Sequence, residues 1–210
     1  MDVDAALLDG GVLGRASLRF YQWDAPTVSV GHFQATQGQD VPQRFAGLPV
    51  VRRLSGGGAI LHHLELTYSC VMPKHHPIAK EATSLYDVVH QQIIEELKDC
   101  GVDSRMRGAD AFAESPFLCF ARGDHRDIVI GTHKIVGSAQ RRRQGAILQH
   151  GSILLSRSPW TPEFPGIAEL ANCTIDAAKL ASALKFRFAE ALSLDFQDAD
   201  FDSQGGATWD

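Results

Sequence analysis

The 210-residue chain is 44% hydrophobic and 21% charged with a net charge of −5, enough for one well-buried core and too evenly charged for a nucleic-acid footprint. No apolar run approaches the roughly 18 to 20 residues that span a bilayer, and the opening MDVDAALLDGG carries acid where a secretory signal carries base. The expectation is a cytoplasmic protein of one domain over 1–210, with neither nucleic acid nor membrane as partner.

In chain order, residues 2–9 read as the remnant of an amphipathic helix. SLRFYQW and TVSVGHF read as strands, because β-branched and aromatic residues cluster between Asp, Pro and Gly. LPVV then gives a buried strand, Ser55-Gly56-Gly57-Gly58 a loop, and LTYSCVM another strand. From Ser84 the period changes: Leu85, Val88, Val89, Ile93 and Leu97 recur at helical spacing, Ser84 with Asp87 forms a candidate capping box, and Gly101 supplies the stop. RDIVIGTHKIVGSAQ reads as two strands about a Gly131-Thr132 turn, and GAILQHGSILL as a strand broken near Gly151. A second helix, roughly 175–192, buries Leu180, Leu184, Phe188 and Leu192 behind Thr174 as cap. Strands and helices do not alternate regularly, so the fold class is α+β, a mixed, largely antiparallel sheet with packed helices. The end of the chain, about 196–210, reads as a loose tail.

Three glycines in a row weaken a sheet unless a backbone must come close to something. Here they follow Arg52 and Arg53, with neither the Gly-Lys-Ser/Thr of a phosphate loop nor a GxGxxG turn; a tight turn and a ligand-approach loop fit equally. Beyond the loop, His62 and His63 are imidazoles able to orient an acyl group or shuttle a proton, although an arbitrary histidine is more often structural. His75 and His76 take that structural reading, and no metal-ligand partner stands near any of them. Lys134 lies in apolar hairpin sequence, where a solvated side chain is the common outcome. The small residues Gly137, Ser138 and Ala139 just after it would instead let a ligand approach.

The four cysteines are far apart and form no CxxC pair, which argues against a zinc site and a disulfide framework. Cys70 fits a strand, Cys100 a helix end and Cys173 a cap region. Cys119, after Ser115 and Pro116 in an aperiodic stretch, fits a loop where a thiol is accessible. The run Arg141, Arg142, Arg143 is ordinarily a solvated face, or else a surface that steers an acidic protein.

Together, VVRRLSGGGAILHHLELTYS and HKIVGSAQRRRQGAILQHGSILL resemble the signature blocks of the lipoate-protein ligase and octanoyltransferase superfamily, whose catalytic domain is related to that of biotin protein ligases. SPFLCFARGDHRDIVIGTHKIVGSAQ is similar to the corresponding region of its cysteine-dependent octanoyltransferases of Gram-positive type. The resemblance implies Cys119 as nucleophile and Lys134 as the lysine near the acyl carbonyl. It also implies an acyl pocket lined by Arg53, Ser55, Gly56, Gly57, Gly58, Ala59, His62, Gly137, Ser138, Ala139, His150 and Gly151. The activity implied is transfer of octanoyl from acyl carrier protein to a lysine of a lipoyl domain or glycine cleavage H protein, with no cofactor and no metal. The alternatives are an ATP-dependent lipoate-protein ligase, which would use ATP and Mg, a lipoyl amidotransferase, and a non-catalytic acyl or lipoyl-domain binding protein.

Overall fold

The computed structural model describes residues 2–34, 41–109, 118–121 and 123–195; the expected tail at 196–210 and the Ser115-Pro116 stretch lie outside them. The opening helix, α1 (Asp2–Val12), precedes β1 (Ser17–Tyr21), β2 (Thr27–Val30), β3 (Val50–Arg52), β4 (Ile60–His62) and the long β5 (Glu65–Met72). Helix α2 (Ala82–Asp99) separates these from β6 (Arg105–Met106), β7 (Ile128–Ile130), β8 (His133–Arg143) and β9 (Ala146–Leu154), and the short α3 (Ile167–Ala171) and α4 (Ala177–Ala191) follow.

Among the described residues the strands form two sheets. The larger, in the order β1-β5-β9-β8-β7-β6, is antiparallel throughout. The smaller, β3-β2-β4, pairs β2 parallel to β3 and antiparallel to β4. This is the α+β, mixed and largely antiparallel architecture expected.

Alternation along β5 assigns the two faces of the large sheet, since successive side chains point to opposite sides. Leu66, Tyr68, Cys70 and Met72 pack in one cluster with Leu85, Val89, Ile93 and Leu97 of α2 and Leu180, Leu184, Phe188 and Leu192 at α4. Each fully buried aliphatic there contributes about 2 kcal/mol. On the other face Val71 joins Leu7 and Leu8 of α1 and Leu148 of β9, while Glu65, Thr67 and Ser69 form a polar row that is buried too.

Several local expectations are corrected. Helix α2 begins at Ala82 behind Glu81, so Ser84 lies in its first turn and donates to the Glu81 carboxylate at 3.2 Å, while Asp87 pairs with Arg126. The capping box therefore does not form. Helix α4 is capped by Asp176, whose carboxylate accepts from the Lys179 N–H at 2.9 Å, rather than by Thr174. Strand β9 runs unbroken through Gly151, and β1 and β2 stop short of Trp23 and Gly31. In the arginine run Arg142 donates to the Ala79 carbonyl and Arg143 pairs with Asp9, and the three side chains are half-buried to exposed.

Candidate active site

Thr67 of β5, Gly137, Ser138 and Ala139 of β8, and His150, Gly151 and Ser152 of β9, from three adjacent rows across the central strands, line a cavity of about 300 Å³. Strand register sets Thr67, Ser152 and Gly137 in one row, Tyr68, Gly151 and Ser138 in the next, and Ser69, His150 and Ala139 in the third. The glycine loop, with Gly56, Gly57 and Arg53, forms one wall, and Cys119, Phe120 and Tyr86 form another.

Two glycines are required by close packing. A Cβ on Gly137 would stand 2.5 Å from Lys134 Cε and 2.8 Å from its Nζ, so glycine leaves the space in which the lysine folds back along β8 and a side chain there would displace it. A Cβ on Gly151 would lie 2.7 Å from the Tyr68 ring and also strike Ser138 Oγ. The glycine read as a strand break is thus where neighbouring side chains lean over an intact strand.

Cys119 opens a 3-10 turn, Cys119–Ala121, within the aperiodic stretch read as a loop. Its N–H donates to the Ala59 carbonyl at 2.7 Å, and Leu118 bridges Ala59. The thiol is half-buried. Lys134 is buried, not solvated: Nζ lies 2.8 Å from Asp127 Oδ1, 3.4 Å from the Cys119 carbonyl, 4.0 Å from Cys119 Sγ and 5.3 Å from the Phe120 ring centre. Burial pushes the Asp127 carboxyl above its ordinary range, although Lys134, the Asp124 N–H and Arg107 act against that. By contrast Cys70, enclosed in the core, has its thiol raised to about 12 by burial and is inert near neutral pH.

Arg53 is buried with no carboxylate beside it among the described residues. Its guanidinium donates to the carbonyls of Ser29, Gly56 and Gly58 and so clamps the loop from inside. Burial holds its pKa below the ordinary value, and Arg53 lines the same cavity as Cys119. His62 stacks on Trp23 at 4.2 Å between ring centres and bridges Glu65 Oε1, at 2.5 Å, and Ser29 Oγ, at 2.8 Å. Ser55 contacts His150 Nε2, whose Nδ1 lies 3.2 Å from Asp4 Oδ2. Through this chain α1 holds the glycine loop.

Asp4 is almost wholly buried, which alone would raise its pKa. The hydrogen bond and charge of His150, with the Ser69 hydroxyl and Arg19, outweigh burial and hold it below the ordinary value. A depressed folded-state pKa contributes stability that is present above the unfolded pKa of about 4 and lost as pH falls through the folded one. Asp4→Asn is expected to cost about 2 kcal/mol near neutral pH and to flatten stability against pH below about 4. Urea unfolding between pH 3 and 7 checks this; an acid limb as steep as that of the wild type would refute it.

A profile of the Lipoyl protein ligase A/B catalytic domain matches residues 1–176. The chain belongs to this family. It is 39% identical over 168 residues to the Octanoyltransferase LipM of Geobacillus kaustophilus, covering 74% of this chain and 60% of that one. To that of Kyrpidia tusciae it is 33% identical over 225 residues, covering 91% and 82%. The chain thus spans less than two thirds of the Geobacillus relative and most of the Kyrpidia one. Among solved structures, a lipoate-protein ligase A bound with ATP superposes with TM-score 0.74 at 25% identity over 97% of this chain and 84% of that one. A bi-partite lipoate protein ligase of Thermoplasma acidophilum shares the fold, with TM-score 0.71 at 22% identity over 97% and 82%.

Of the residues that family resemblance singled out, Arg53, Gly56, Gly57, His62, Cys119, Gly137, Ser138, Ala139, His150 and Gly151 line the cavity. Ser55, Gly58 and Ala59 do not: Ser55 is buried behind His150, Gly58 gives its carbonyl to Arg53, and Ala59 anchors the cysteine turn. Lys134 opens instead on an adjoining cavity of about 220 Å³, which shares Cys119, Tyr86 and Ser138 with the first. Sequence reading missed Asp4, Ser29, Glu65, His90 and Asp127 as partners. An acid in an apolar strand or on a helix otherwise packed in the core was the available signal. Among the described residues no three His, Cys, Asp or Glu side chains converge to hold a metal, and no helix is long and apolar enough to cross a membrane.

Proposed function

We propose that this chain is an octanoyltransferase of lipoate biosynthesis that carries the acyl group as a thioester on Cys119. The observation that carries the reading is the Cys119 sulfur at the wall of a closed-floored cavity, with the Lys134 ammonium 4.0 Å away. The cavity volume falls at the lower end of small-molecule pockets, a size that suits one linear acyl tail, whose burial is worth about 5 kcal/mol.

The Cys119 thiolate attacks the carbonyl of octanoyl-acyl carrier protein, the C–S bond to the carrier breaks, and the carrier thiolate leaves and takes a proton. A lysine amine of a lipoyl domain or glycine cleavage H protein then attacks the acyl-enzyme, forming the amide and returning Cys119. The first step exchanges one thioester for another and the second runs downhill to an amide, so neither requires ATP, metal or a bound cofactor. Because the Cys119 N–H is committed to Ala59, a donor for the oxyanion must come from elsewhere, and Lys134 is the cation at hand. Acidic acyl carrier protein and a lipoyl domain are the partners that this chemistry calls for.

The test is intact-mass measurement of the protein mixed with octanoyl-acyl carrier protein without ATP. An octanoyl adduct that chases onto an added apo lipoyl domain is the expected result. Acceptor modification that appears only with ATP and the free acid would overturn the reading in favour of the ligase.

A further inference from the structure

His90 of α2 is almost completely buried and has no place in the chemistry so far. Its Nδ1 lies 2.5 Å from the Arg126 carbonyl oxygen and its Nε2 2.6 Å from Ser138 Oγ. A carbonyl only accepts, so Nδ1 carries a hydrogen; in the neutral imidazole Nε2 is then bare, and the Ser138 hydroxyl donates to it. Tyr68, 2.6 Å from Ser138 Oγ, then donates to Ser138, and Gln149 Nε2 donates to Tyr68 at 3.0 Å. Every hydrogen in the chain Gln149, Tyr68, Ser138, His90, Arg126 is thereby fixed in direction. What half-buried Ser138 still has to offer is one lone pair, and Ser138 lines both cavities that meet at Cys119.

We propose that the Ser138–His90 pair serves the amine half-reaction, Ser138 accepting the proton of the incoming lysine nitrogen as it passes its own to His90 behind it. This rests on the transferase reading above. As the C–N bond forms at the acyl-enzyme carbonyl, the nitrogen's proton passes to Ser138 Oγ while the Ser138 proton moves to His90 Nε2. The C–S bond breaks, Cys119 leaves as thiolate, and the proton returns along the same path to the sulfur. No oxidant or further reactant enters.

Around His90 stand Tyr86 and Asp87 on α2, Asp124, Arg126 and Asp127 before β7, and Lys134 on β8. Burial, reinforced by Lys134, lowers the His90 pKa to about 4 against the pull of the Arg126 carbonyl and the acids. The imidazole is therefore neutral, and its Nε2 free to accept, throughout the neutral range. Release of the borrowed proton to the thiolate is correspondingly easy.

The test separates the two halves of the reaction in one protein. Purified octanoyl-enzyme of the wild type, His90→Leu and His90→Gln is chased with an apo lipoyl domain or with a small thiol at pH 8, which attacks as thiolate and has no proton to lose. His90→Leu is expected to slow the amine chase about 100-fold and the thiol chase, like acyl-enzyme formation, by less than about 3-fold. His90→Gln, which can donate to Arg126 and accept from Ser138 but cannot take up the Ser138 proton, should keep the fold and the thiol chase and stay slow with the amine. Equal slowing of both chases, or an unchanged amine chase, overturns the proposal. If His90→Leu does not fold, Ser138→Ala gives the same comparison. Absence of any acyl-enzyme on the wild type would instead sink the transferase reading itself.

Discussion

Replacing Cys119 with alanine is expected to abolish the octanoyl adduct and to lower transfer by about 10⁴-fold or more, with stability within about 1 kcal/mol of wild type. The asymmetry follows from where the residue sits. Its half-buried side chain leaves the core clusters intact, and the contact that pins its turn is the backbone N–H to Ala59, which alanine keeps. Cys70→Ala is the paired control: that thiol is buried in the sheet core and locked in its protonated form, so its loss should cost stability and leave the adduct. Intact mass after mixing with octanoyl-acyl carrier protein, with thermal unfolding alongside, reads both. An adduct that survives in Cys119→Ala would remove the cysteine from the mechanism.

The legibility of this chain in its sequence divides along a physical line. Helix α2 and helix α4 were readable because Leu85, Val89, Ile93 and Leu97, and Leu180, Leu184 and Phe188, keep a 3.6-residue period that only a one-sided core demands. Their exact starts were not, since α2 begins behind Glu81, which makes no side-chain cap, and Asp176 rather than Thr174 caps α4. Strand β5 read as a strand but not as a two-faced one. All eight residues are buried, so the alternation between the Leu66 face and the Glu65 face has no solvent-exposed side to mark it.

The same holds in the site. Glycine loop, Cys119 and the Gly137-Ser138-Ala139 run stand out by composition, and strand pairing brings most of them around one cavity. Lys134 was ambiguous because a lysine in apolar sequence is usually solvated; what buries it is Asp127, seven residues earlier and brought alongside by the β7–β8 hairpin. Asp4 and His150 are further apart still, 146 positions in sequence, and meet only because α1 packs on β9. Partners of this kind are products of topology and leave no local spacing to find.

Lys134→Met tests the cation itself. Methionine keeps much of the side-chain length beside Gly137 and removes the charge 4.0 Å from Cys119 Sγ. If the ammonium stabilises the oxyanion, acyl-enzyme formation should fall about 100- to 1000-fold, the effect of losing one good donor. The variant is also expected to lose about 3 kcal/mol of stability, because Asp127 stays buried without the partner at 2.8 Å. These two losses have separate causes and separable cures. In Lys134→Met with Asp127→Asn the carboxylate that lost its ammonium partner is gone, and the introduced amide oxygen can still accept the Asp124 N–H that Asp127 accepts at 2.7 Å, although buried Arg107, 3.8 Å away, loses its ion pair. Stability should recover in part in the double variant, measured by urea unfolding, while the rate of adduct formation stays low. Recovery of rate together with stability would mean that Lys134 acts only by holding Asp127 and the turn at Cys119 in place.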